Sequence, residues 1–152
     1  MIRARYGLAV AAAFIAASAA LASAVAEELS AMDRDAIFTA AGFTKKDDQF
    51  KRCADDTSAS YMPGQIELDD LNKDGRPEVW VKESSTFCYG GTAEAFVLLT
   101  KSPSGAWLKI LDQVGVPLPH ETMSNGWPDI EVGGPGGGPF PIYRFNGKEY
   151  VG

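Results

Sequence analysis

The chain has 152 residues, a net charge of −6, two cysteines and one histidine. That acidic balance disfavours nucleic acid and anionic membranes as partners and suits a bound cation or a basic protein. The lone histidine, His120, leaves little with which to build a His-based triad or a zinc site, and no G-x-S-x-G elbow occurs.

Residues 1–26 read as a secretory signal. Arg3 and Arg5 precede an uncharged run from Leu8 to Leu21, and Ala24-Val25-Ala26 forms an A-x-A cleavage site before Glu27. The expectation is a periplasmic or secreted single β-rich domain over 27–152, off the membrane once the signal is removed; an uncleaved anchor is the lesser alternative. Removal takes Arg3 and Arg5 but no acid, so the remainder is more acidic still. In an oxidising compartment Cys53 and Cys88 form one disulfide. Closing a loop of roughly 35 residues stabilises a fold by roughly 3–4 kcal/mol in the chain-entropy account.

One short helix is predicted over 31–41. Ser30 and Asp33 form a capping pair, Met32, Ala36, Ile37, Ala40 and Ala41 recur at helical spacing, and Gly42 is a stop. Everything after it reads as strand. The candidates are Gln49–Cys53, Gln65–Asp69, Glu78–Glu83, Ala95–Lys101, Ala106–Leu111, Asp129–Val132, Pro141–Phe145 and Glu149–Val151. Ser102–Gly105 and Asn146-Gly147 read as hairpin turns, the second of type I′. The expected fold is mainly β: an antiparallel β-sandwich or a duplicated two-unit β repeat with one short N-terminal helix. The duplication is visible in the chain itself. Asp74-Gly75-Arg76-Pro77-Glu78-Val79-Trp80-Val81 is echoed by Asn125-Gly126-Trp127-Pro128-Asp129-Ile130-Glu131-Val132, and each copy leads into a glycine-containing loop and a hairpin. Trp80, Trp107 and Trp127 read as core aromatics.

Asp70-Leu71-Asn72-Lys73-Asp74-Gly75-Arg76-Pro77-Glu78 is the constellation with ligand chemistry. Calcium takes six to eight oxygens from carboxylates, amides and backbone carbonyls. Asp70, Asn72 and Asp74 offer side-chain oxygens, Arg76 its carbonyl, Glu78 a direct or water-mediated oxygen, and Gly75 the sharp turn. Val81 stands where an EF-hand needs its bidentate Glu, and a strand follows instead of a helix. The nine-residue spacing resembles the loops of integrin-type (FG-GAP-like) β repeats. The competing reading is an Asx-rich turn that caps its own backbone without metal. The second copy, Glu121 to Asp129, has Met123 at a ligand position and reads as a degenerate loop kept as a turn.

The following loop, Glu83 to Thr92, is small, polar and centred on Phe87 and Tyr89. Loops of Ser, Gly, Thr and Tyr tethered by a disulfide are good recognition material; the competing reading is a hairpin loop with its Tyr packed inward. Gly133–Gly138 lacks the Lys of a phosphate-binding loop. A hydrolase using paired carboxylates remains the last alternative to a non-enzymatic domain, since no pair is singled out by spacing.

The segments Asp70-Leu71-Asn72, Asp74-Gly75, Pro77-Glu78-Val79-Trp80-Val81, Ser84-Ser85, Tyr89-Gly90 and Phe140-Pro141-Ile142-Tyr143-Arg144 are similar to the periplasmic inhibitors of invertebrate-type lysozyme. That resemblance implies a β-sandwich which inserts a loop into a lysozyme cleft, with Ser84, Ser85, Tyr89 and Gly90 as the partner-binding residues. This chain departs from the family at Thr86-Phe87-Cys88, where the family has Gly and Ser, and its loop is shorter. A calcium-stabilised structural or adhesion-type module is the alternative.

Overall fold

A computed structural model describes residues 29–152; the predicted signal segment lies outside them. The first described element is helix α1, Ala31–Ala40. The Ser30 hydroxyl accepts a hydrogen bond from the Asp33 amide at 3.1 Å, as a cap should. The helix turns Ile37 and Phe38 fully inward. Ten strands follow: β1 Thr44–Lys46, β2 Gln49–Lys51, β3 Met62–Asp69, β4 Glu78–Ser84, β5 Glu94–Lys101, β6 Trp107–Val114, β7 Val116–Ser124, β8 Trp127–Gly133, β9 Ile142–Phe145 and β10 Tyr150–Val151. Between β4 and β5 lies a one-turn helix, α2, Thr86–Tyr89, running into a 3-10 turn at Gly90–Thr92.

The architecture is a β-sandwich with an extra layer. Strands β3-β4-β5-β6 form one antiparallel sheet and β7-β8-β9-β10 a second, each in simple neighbour order, with β1-β2 a separate hairpin. Trp80, Phe96, Leu98, Ile110, Ile130, Val132, Phe145 and Tyr150 fill the space between the two sheets. On the opposite face of the first sheet, Val79, Val81, Val97 and Leu99 pack against Ile37, Phe38, Ala41 and Phe43. Strands β4 and β5 are therefore covered on both faces, which accounts for their unbroken apolar runs.

The two four-stranded meanders have the same strand order. β4 and β8 carry the echoed segments, and each is preceded by a strand and followed by a loop and two more strands. Gly115 alone separates β6 from β7. Its φ is +148°, its N–H donates to the Glu94 carbonyl at 2.9 Å, and a Cβ there would lie 2.4 Å from Val132 Cγ1 and 2.6 Å from the Gly133 carbonyl. The chain passes between sheets only because this position has no side chain.

Several local expectations are corrected. Cys53 lies beyond β2, in a bend. The strand pattern predicts neither β1 nor β7; His120 sits in β7, with Nε2 3.1 Å from Glu131 Oε2. β7 hides its strand character behind Pro117 and Pro119. It is an edge strand, and two prolines spaced by two point their nitrogens to one side, the arrangement a free edge tolerates. The two-residue loop with both φ positive, the mark of a type I′ turn, is Asn125-Gly126 between β7 and β8 (φ +50° and +82°). At Asn146-Gly147 only the glycine has positive φ, and the Asn146 side chain accepts from the amides of Lys148 and Glu149. A second helix, α2, occupies part of the Glu83–Thr92 loop.

Candidate functional site

Two neighbouring features carry the candidate residues: the Asp70–Glu78 loop that enters β4, and the Ser84–Gly91 segment that leaves it.

In the entry loop, Asp70 accepts from the amides of Asp74 (3.1 Å) and Gly75 (3.0 Å), Asn72 Oδ1 from the Asp74 amide (3.0 Å), and Asp74 Oδ1 from the Arg76 amide (2.8 Å). Asp70 and Asn72 share the Asp74 amide and Asp74 takes that of Arg76, the pattern of an Asx-rich turn. Arg76 also places its guanidinium 2.8 Å from Asp74 Oδ2. That contact and the bond to the Arg76 amide hold Asp74 below its usual carboxylate range. Glu78 points elsewhere. It is 2 % exposed and accepts from the Leu71 amide and the Thr100 hydroxyl, both at 3.1 Å. Burial pushes its pKa up to about 7, against the opposing pull of those two donors.

The residues fit calcium in part. Asp70, Asn72 and Asp74 present oxygens on one side, and an oxygen that accepts one N–H keeps a second lone pair. Glu78 is turned into the core and Arg76 spends its side chain on Asp74. Among the described residues no group of three or more His, Cys, Asp or Glu side chains gathers as a metal site.

The exit segment is built over a buried polar cluster that sequence reasoning missed. Glu83 is 1 % exposed and accepts from the Arg52 amide (2.9 Å), the Cys53 amide (3.1 Å) and the hydroxyls of Tyr61 and Tyr89. Burial and the bond to Glu83 raise the pKa of both phenols, that of Tyr89 to about 12. Beside it, Ser85 donates to Asp56 at 2.6 Å and accepts from the Cys88 amide at 3.0 Å, so it caps α2. The bonds from Ser85 and Ser58 keep Asp56 below its usual range. Arg52 meets Asp112 of β6 at 2.8 Å. Burial works to raise Asp112, but hydrogen bonds from Lys109 and Arg52 outweigh it and its pKa falls. The Cys53–Cys88 disulfide closes the clasp.

The predicted loop residues therefore divide. Ser85 is buried, Tyr89 is half-buried with its hydroxyl on Glu83, and Ser84 ends β4 half-buried. Gly90 is exposed, and so is Phe87, at 71 %. A signal for the cluster was present in the strand pattern. Val79 and Val81 face the helix layer, and alternation puts Glu83 on that same buried face.

Comparison with protein-family models, with curated proteins and with solved structures finds no match for this chain. Among the described residues no helix is long and apolar enough to cross a membrane.

Proposed function

We propose that this chain is a non-enzymatic binding domain of an oxidising, extracytoplasmic compartment, and that it recognises a protein through the segment leaving β4. The observation that carries the reading is Phe87. A large aromatic side chain stays 71 % exposed on a one-turn helix fixed from beneath by a disulfide, a serine cap and a tyrosine–glutamate bond. Exposed aromatics on rigid supports act as interface anchors, because little side-chain freedom is left to lose on binding. The buried acids Asp56, Glu78, Glu83 and Asp129 all spend oxygens on internal donors, which is structural employment.

The most specific form of the reading is a lysozyme-inhibitor-like role, supported by the segment similarity and by an acidic chain suited to a basic partner. Lysozyme activity measured with excess protein, against chicken, goose and invertebrate types, tests it. Inhibition of at least one type is expected, and inhibition of none removes this form.

A second reading, a calcium-stabilised module, is favoured by the closeness of Asp70 and Asn72, which share the Asp74 amide, to Asp74, which takes the next amide but one. Its test is the melting temperature in calcium against chelator, with a rise in calcium expected and no change counting against it.

A further inference from the structure

Among the stretches of the chain that contain no Asp, Glu, Lys, Arg or His are 84–93, 113–119 and 132–143. They are far apart in sequence, and the fold brings them to one end of the sandwich. A Cβ on Gly91 would touch Pro135 at 3.7 Å, one on Gly134 would touch the Thr92 hydroxyl at 3.8 Å, and one on Gly133 would lie 3.8 Å from Leu118 Cδ1. Between them runs an open groove of about 330 Å³, walled by Thr92, Val116, Gly134 and Phe140. Val116 in its wall is 42 % exposed, Leu118 beside Gly133 is 46 % exposed, and Phe87, 71 % exposed, lies on the same uncharged stretch as Gly91 and Thr92.

Dehydrating charged side chains costs several kcal/mol each, so the cheapest surface to dehydrate is the one with none. In a chain with 34 charged side chains and a net charge of −6, an uncharged end assembled from three separate stretches is a defined surface. The glycine loop continues beyond the groove through Gly136, Gly137 and Gly138, all exposed. Two copies of this acidic chain would repel one another, whereas a cationic partner would be drawn in.

We propose that this uncharged end is the docking surface, and that its occupant is an extended, apolar, uncharged segment of a partner protein flanked by Lys or Arg. The segment lies along the groove between Thr92 and the glycine loop, and Phe87 anchors beside it. The inference rests on the binding-domain reading and adds the chemistry of the partner.

The test is selection of phage-displayed random twelve-residue peptides on the exported, purified chain. Peptides with an apolar uncharged centre and basic flanks are expected. Each of Phe87→Ser and Gly134→Val should weaken their binding by about tenfold or more, with melting temperatures close to that of the parent chain. No enrichment over the bare support, enrichment of acidic peptides, or binding untouched by both substitutions overturns the proposal. Self-association in sedimentation that Phe87→Ser abolishes would place a second copy in the groove, and that also overturns it. Absence of lysozyme inhibition alongside such peptides leaves this inference standing and removes only the lysozyme form of the function.

Discussion

The two copies of the β unit each bury a carboxyl at the matched strand entry, Glu78 in the first and Asp129 in the second, and they treat it in opposite ways. Glu78 has one hydroxyl and one amide as donors, and burial wins: its pKa rises to about 7. Asp129 accepts from the Ser124 hydroxyl at 2.6 Å and the Thr122 hydroxyl at 2.9 Å, with Arg144 at 3.6 Å, and its pKa falls. Both acids are shielded from solvent, 2 % and 5 % exposed, but desolvation outweighs the donors at Glu78, whereas the Ser124 and Thr122 hydroxyls outweigh it at Asp129. The segments after the acids differ as well. The first is held by a disulfide and a buried polar clasp, the second is a run of glycines and prolines.

The largest expected effect tests that last contrast. Replacing Cys53 and Cys88 together by Ala should cost roughly 3–4 kcal/mol of stability in denaturant unfolding. Deleting Gly136 and Gly137 from the matching loop should cost less than about 0.5 kcal/mol. Equal losses would break the comparison.

The second effect is a pH dependence of opposite sign in the two copies. The folded pKa of Glu78 lies above its ordinary value, so between about pH 4.5 and 7 the folded state holds a proton that the unfolded state has released. Stability from this group therefore falls as pH rises through that window. With chelator present, the parent chain should lose about 3 kcal/mol from this source between pH 4 and 8, and Glu78→Gln should remove the loss. For Asp129 the folded pKa is depressed, so its contribution is present above the ordinary aspartate value and disappears as the pH drops through the folded one. Asp129→Asn should cost about 1–3 kcal/mol at pH 7 and flatten the acid limb of the melting curve.

The smallest effect concerns the turns. Gly75 and Gly126 occupy matched places in the echo and share a left-handed conformation, φ +84° and +82°. Gly75→Ala and Gly126→Ala should each cost about 1 kcal/mol by thermal melting. A tolerant Gly75 would show that the entry loop relaxes where the tight turn does not.

Much of this was legible in the residues. The helix cap, the strands rich in Val and aromatics and the echo follow from local pattern, because each is set by neighbours in sequence, and the disulfide follows from the chain's having two cysteines. β7 was hidden because Pro117 and Pro119 signal a break, and only a free edge makes them acceptable. α2 was hidden because Thr-Phe-Cys-Tyr is too short to show periodicity; its capping by Ser85 and the inward turn of Tyr89 depend on Asp56 and Glu83, which tertiary structure brings near. In the metal loop, ligand types and spacing were readable. The burial of Glu78 was not, since it depends on Thr100 from a neighbouring strand.

The neighbour-only strand order has a kinetic consequence. In both four-stranded sheets every ladder joins strands that follow one another along the chain. Each meander can zip from its own turns, and the loop-closure entropy at each step is that of a short connection. The two meanders are joined by Gly115 alone, so their docking is an encounter between pieces tethered by a single residue.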